Sequence, residues 1–133
     1  MSLDVYLYPS SDVRAAAHGR RHLALDDDGI LTCIREHVGS LPSLTGHPID
    51  PYADAVFDAS LLPALKKALA SAHSAYASGP PILAVRVGTE IKPVRRALYE
   101  NVARKKLLST ISALQALAAS ALQAQQCLIF CGD

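Results

Sequence analysis

The chain has 133 residues, half of them apolar and 19% charged, with a formal net charge of +1. That is the size of one domain with its own core, and the apolar share excludes a chain that stays disordered. No apolar run approaches the ~18 residues of a membrane span, and the first residues lack the basic start and apolar core of a signal peptide, so a cytoplasmic protein with no membrane association is expected.

Leu3 to Tyr8 alternates Leu3, Val5 and Leu7 against Asp4, Tyr6 and Tyr8, which predicts an interior strand stopped by Pro9. Ser10, Ser11 and Asp12 offer N-caps for a short helix through Ala15, Ala16 and Ala17, ended by Gly19. Residues 20–48 admit two readings. His22–Leu25 and Ile30–Ile34, on either side of Asp26-Asp27-Asp28-Gly29, spell a hairpin. Alternatively Asp28 caps a helix from about Gly29 to Val38, with Leu31, Ile34 and Val38 at helical spacing. The helix is the preferred reading. Gly39 to Pro48 is a loop rich in Gly, Pro, Ser and Thr.

Ala53 to Phe57 predicts a short strand. Asp58 or Ser60 then caps a helix from about Ala59 to Ala77, whose stripe Leu62, Leu65, Leu69, Ala72 and Tyr76 is expected to bury against a sheet. Pro63 is tolerated in the first turn, and Gly79-Pro80-Pro81 stops the helix. Ile82 to Ile91 reads as a strand, broken at Lys92-Pro93. Ala97 to Val102 follows as an antiparallel partner, with a helix from Arg95 as the competing reading. From about Arg104 to Gln125 a helix holds Leu107, Ile111, Leu114, Ala118 and Leu122 on one face. Leu128 to Cys131 is a wholly apolar strand, expected to be buried on both faces. The sum is a single α+β domain, an antiparallel or mixed sheet with two long helices packed on one face.

Motifs that carry chemistry are sparse. Cys33, Cys127 and Cys131 are an odd set without redox or zinc-ribbon spacing, and Cys127 and Cys131 fall on one strand face as buried free thiols. His18 and His22 are four apart, but Gly19 breaks a helix there and Arg20-Arg21 repels a cation. No metal and no cofactor are expected. Asp50, Asp54 and Asp58 recur every four residues; Asp58 has a cap to make and Asp50 a turn, whereas Asp54 has no local duty. Asp54 with loop 39–48 is therefore the site a small enzyme would use, although no nucleophile elbow or phosphate loop accompanies it. Arg95, Arg96, Arg104, Lys105 and Lys106 surround Tyr99, a pattern that can hold phosphates and stack a base. The pI near 7.8 is below the ~9 typical of a nucleic-acid module. Charge is nonetheless divided: residues 1–60 carry a net −5 and residues 61–133 a net +6.

The segment Asp50-Pro51-Tyr52-Ala53-Asp54-Ala55-Val56-Phe57 resembles one in small uncharacterised bacterial proteins, where Asp-Pro-Tyr-Gly-Asp-Thr-Val-Phe precedes a helix. Those chains end near Phe-x-Gly-Asp, as here in Phe130-Cys131-Gly132-Asp133, and Gly88-Thr89-Glu90 followed by Pro93 is also similar. Ala53 and Ala55 depart from the pattern, where Gly and Thr stand. In size and architecture the group resembles immunity proteins of bacterial toxin systems, which bind and inhibit one cognate toxin domain. The resemblance implies a non-catalytic protein binder. Its expected partner face comprises Asp26, Asp27, Asp28, His47, Asp50, Tyr52 and Asp54, acidic groups and flexible backbone that would meet a basic surface.

Overall fold

A computed structural model describes residues 2–90 and 96–132. In chain order it contains β1 (Leu3–Tyr8), α1 (Val13–Ala17), β2 (Leu23–Leu25), α2 (Asp28–Val38), β3 (Ala55–Phe57), α3 (Leu62–Ala77), β4 (Ile82–Glu90), β5 (Arg96–Ala103), α4 (Arg104–Gln123) and β6 (Cys127–Cys131). The expected α+β class holds. Two antiparallel sheets form, a four-stranded one in the order β2-β1-β6-β3 and a separate β4-β5 hairpin. The expected break at Lys92-Pro93 lies outside the described residues, as does Ile91.

The pleat sorts the four-stranded sheet into two apolar faces. Leu3, Val5, Ala55, Phe57, Leu128 and Phe130 turn toward the helices and share one core with Ile34, Leu65, Leu69, Ile111 and Leu114. Phe57 and Phe130 meet edge to face there, 5.7 Å between ring centres. Tyr6, Val56, Cys127 and Ile129 face the other way and are covered by Ala16 of α1. β6 is paired on both edges and packed on both faces, which is why it carries no polar residue.

Both readings of the segment after Gly19 are partly realised. Residues 23–25 do form a strand, but it pairs with β1 (Leu3 opposite Leu25) and not with residues 30–34. The latter lie in α2, whose cap is Asp27 rather than Asp28: Asp27 Oδ1 accepts from the Ile30 amide at 3.1 Å. α3 begins at Leu62, after a turn in which Asp58 Oδ1 accepts from the amides of Ser60 and Leu61 at 3.0 and 3.2 Å. Its stripe buries Leu62, Leu65, Leu69 and Ala72 chiefly against α4 and α2 rather than on the sheet directly. The competing helix is not seen over the described part of its segment: Arg96–Ala103 is a strand that runs straight into α4.

The hairpin sits on α2. Glu100 of β5 accepts a hydrogen bond from the Gly29 amide at 3.2 Å, and Val102 packs so closely that a Cβ on Gly29 would lie 2.5 Å from its Cγ2. Val85 and Val102 are buried in this contact, and Val87 forms the irregularity in the β4-β5 register between Arg86 and Gly88.

α4 ends in a Schellman turn: the Gln126 amide donates to Ala121 O at 2.8 Å and the Gln125 amide to Leu122 O at 3.3 Å. Gln125 carries the positive φ of +55° that this turn demands, a conformation that costs a side-chain-bearing residue about 1 kcal/mol. Gln125→Gly should therefore raise stability by up to about 1 kcal/mol, seen as a higher thermal midpoint with an unchanged circular dichroism spectrum.

Candidate functional site

Asp28, Leu31, Thr32 and Arg35 follow the i, i+3, i+4, i+7 spacing of one helix face, and that face of α2 is buried at Leu31 and half-buried at the other three. Together with Pro51, Tyr52 and Val87 it lines a cavity of about 230 Å³. The wall opposite α2 is a tight turn. Asp50 Oδ1 accepts from the Tyr52 amide at 2.7 Å, and the Ala53 amide donates to Asp50 O at 3.2 Å. Arg35 ties the turn to α2: its Nε donates to Ile49 O at 3.1 Å and its Nη2 to Asp50 Oδ2 at 3.5 Å. Pro51 is buried under the turn, and Tyr52 projects from it with 66% of its surface exposed.

The expected partner face is therefore divided. Asp28 and Tyr52 line this cavity, with Asp50 bonded beneath it. Asp26 and Asp27 lie on the other side of the α2 start, in a cleft of about 60 Å³ with Lys106 and Thr110 of α4. Asp27 is committed to its cap and to Lys106 Nζ at 3.5 Å. Asp26 is exposed. His47 is exposed in the loop along β3, where Leu44 donates its amide to Val56 O and Ser43 donates its hydroxyl to His47 O. It does not line the cavity.

Asp54, which has no local duty in the sequence, has a long-range one. Its Oδ1 accepts from the Gly132 amide at 3.0 Å, joining the turn before β3 to the chain end after β6. Gly132 fits there because it has no side chain: a Cβ would lie 2.6 Å from both the N and O of Ala53 and 2.8 Å from Pro51 O. Two of the three segments that carry the resemblance thus pack against each other. Ala53 needs no glycine, since its φ is not positive.

The basic cluster is partly spent on structure. Arg104 donates to Gly79 O, and Lys106 pairs with Asp27. Lys105 is exposed, while Arg95 and the side chain of Arg96 lie outside the described residues.

A second cavity, about 220 Å³, is lined by Cys33 and Glu36 of α2, Tyr76 of α3 and residues Leu83 to Arg86 of β4. Sequence reasoning placed Tyr76 on an apolar stripe. Its hydroxyl instead donates toward Glu36 Oε2 at 3.2 Å and Cys33 O at 3.3 Å, and burial raises its pKa well above the usual phenol value. Burial also raises the Cys33 and Cys127 thiols, and pushes Cys131 up to about 11, with Asp54 and Asp4 adding to the effect. Protonated thiols are poor nucleophiles and poor metal ligands. No group of three or more His, Cys, Asp or Glu side chains able to hold a metal ion occurs among the described residues. Nor is any helix among them long and apolar enough to cross a membrane.

Comparison with protein-family models, curated proteins and solved structures found no match to this chain.

Two outcomes follow from this geometry. Asp54→Ala, which leaves the Gly132 amide without its acceptor, should lower stability by about 1 kcal/mol in urea unfolding, and Asp54→Asn, which keeps an acceptor oxygen, by less. A raised thiol pKa stabilises the folded state below the ordinary value of 9.0, and this contribution is lost as pH rises through about 11. The thermal midpoint should accordingly fall between those pH values, and thiol labelling at pH 8 should be slow in native protein and complete in denatured protein.

Proposed function

We propose that the chain is a cytosolic protein-binding domain that seats on a cognate protein and inhibits it, in the manner of the immunity proteins of bacterial toxin systems. The observation that carries the reading is Tyr52. It is a large aromatic side chain, 66% exposed, on a turn fixed from below by Asp50, Arg35 and buried Pro51. Exposed aromatics on rigid backbone make interface anchors, because little conformational freedom remains to be lost on binding. Asp28 stands beside it, with Asp26 and His47 as outlying polar groups. The net −5 of residues 1–60 favours a basic partner and would speed the encounter. Asp27, Asp50 and Asp54 act through the fold, since each is bonded within it.

Capture from the cell of origin at low salt, identification by mass spectrometry and binary binding with purified partner test this reading. Association should slow as salt rises. Asp26→Lys should lower the association rate several-fold with an unchanged thermal midpoint. Tyr52→Ala should speed dissociation and weaken binding by about 2 kcal/mol. Co-expression should suppress the partner's activity. A partner indifferent to Tyr52→Ala, or capture abolished by nuclease, would overturn the assignment, the latter in favour of nucleic acid.

A further inference from the structure

We propose that the cavity between Asp28 and Tyr52 receives an arginine side chain of the partner, an inference that rests on the protein-binding reading. At about 230 Å³ the cavity is smaller than the ~300 Å³ at which small-molecule sites begin, which suits one long side chain. Leu31, Pro51 and Val87 supply apolar walls against which methylenes can lie. The polar groups of the lining are mostly committed: Thr32 donates its hydroxyl to Asp28 O at 2.7 Å, and Arg35 is held by Ile49 O and Asp50. Asp50, which lies outside the lining, offsets Arg35, which is part of it, so that Asp28, Arg35 and Asp50 together carry one negative charge in excess. That carboxylate makes no hydrogen bond or ion pair among the described residues. A cation is the complement. Arginine fits better than lysine, because a planar guanidinium can pair both oxygens of Asp28 while lying against the ring of Tyr52.

The test is a titration of ¹⁵N-labelled protein with Nα-acetyl-arginine N-methylamide, followed by amide chemical shifts, with the citrulline analogue as the neutral isostere. Saturable shifts are expected at Asp28, Thr32, Tyr52 and Val87, with none of that magnitude from citrulline. Asp28→Asn should weaken binding about tenfold, the order expected for one charge-assisted hydrogen bond, and Tyr52→Ala should weaken it independently. Tyr52→Ala should keep the wild-type thermal midpoint, since the ring is exposed, and Asp28→Asn should lower it only slightly, since it removes a first-turn charge but not the cap, which is Asp27. Equal shifts from citrulline, shifts centred on Asp26, or undiminished binding by Asp28→Asn would overturn the proposal. The two readings fail separately. A captured protein that depends on Tyr52 but ignores Asp28→Asn overturns the arginine seat and leaves protein binding standing. Arginine binding that saturates at the cavity when no protein is captured supports the seat and counts against the protein partner.

Discussion

The first amides of a helix have no partner inside it, and in α2 two of them are met by carboxylates from opposite ends of the sequence. Asp27 takes the Ile30 amide from the adjoining residues, and Glu100 takes the Gly29 amide across 71 positions of chain. Negative charge at a helix start is favoured by the aligned peptide dipoles as well as by the hydrogen bonds. The second contact decides more than the stability of one helix. A two-stranded hairpin is marginal alone, so β4 and β5 need a surface to lie on. Glu100, Val85 and Val102 give them α2, and Gly29 lets them come close. Both larger cavities use β4 as a wall and α2 as a floor, so neither exists without this docking.

The other end of the candidate site depends on a missing side chain. Gly132 lies in the crook of the 50–54 turn, where any Cβ would strike backbone atoms that cannot rotate away. Asp54 closes the contact from the side. The turn is thereby held by the last strand of the sheet and, through Arg35 and Asp50, by α2. Tyr52 projects from a backbone fixed at two points. The same packing half-buries Cys131 next to Asp54, which accounts for a thiol that stays protonated.

Charge is used locally more than globally. The acidic and basic halves meet at Asp27 and Lys106, while Arg21–Asp4 and Arg35–Asp50 pair within the acidic half. Exposed pairs of this kind contribute little to stability, about 0–1 kcal/mol each. Their larger effect is to remove groups from the surface inventory. Lys106 is taken out of the basic cluster, as Arg104 is by its bond to Gly79 O, and Asp27 and Asp50 out of the acidic face. Asp26 and Asp28 remain, on opposite sides of the α2 start.

The sequence alone determined most of the elements, because their signals are local, but left two readings each for residues 20–48 and for the segment of β5. Alternation marked β1, three-to-four spacing marked α4, unbroken apolarity marked β6 as doubly buried, and Gly-Pro-Pro ended α3. The face that α2 turns to the cavity was also legible in principle, since Asp28, Leu31, Thr32 and Arg35 share one helical side. Periodicity could not say which carboxylate caps α2, because Asp26, Asp27 and Asp28 are chemically equal and the choice turns on backbone geometry. Tertiary structure decided the partners of long-range bonds: Glu100 for Gly29, Asp54 for Gly132, Arg35 for Asp50 and Tyr76 for Glu36. A hydrogen bond between residues 71 or 78 positions apart leaves no periodic trace in either segment. Only the folded chain brings a turn, a helix face and a hairpin strand to the edge of one cavity, because what selects their proximity is the shared core beneath them.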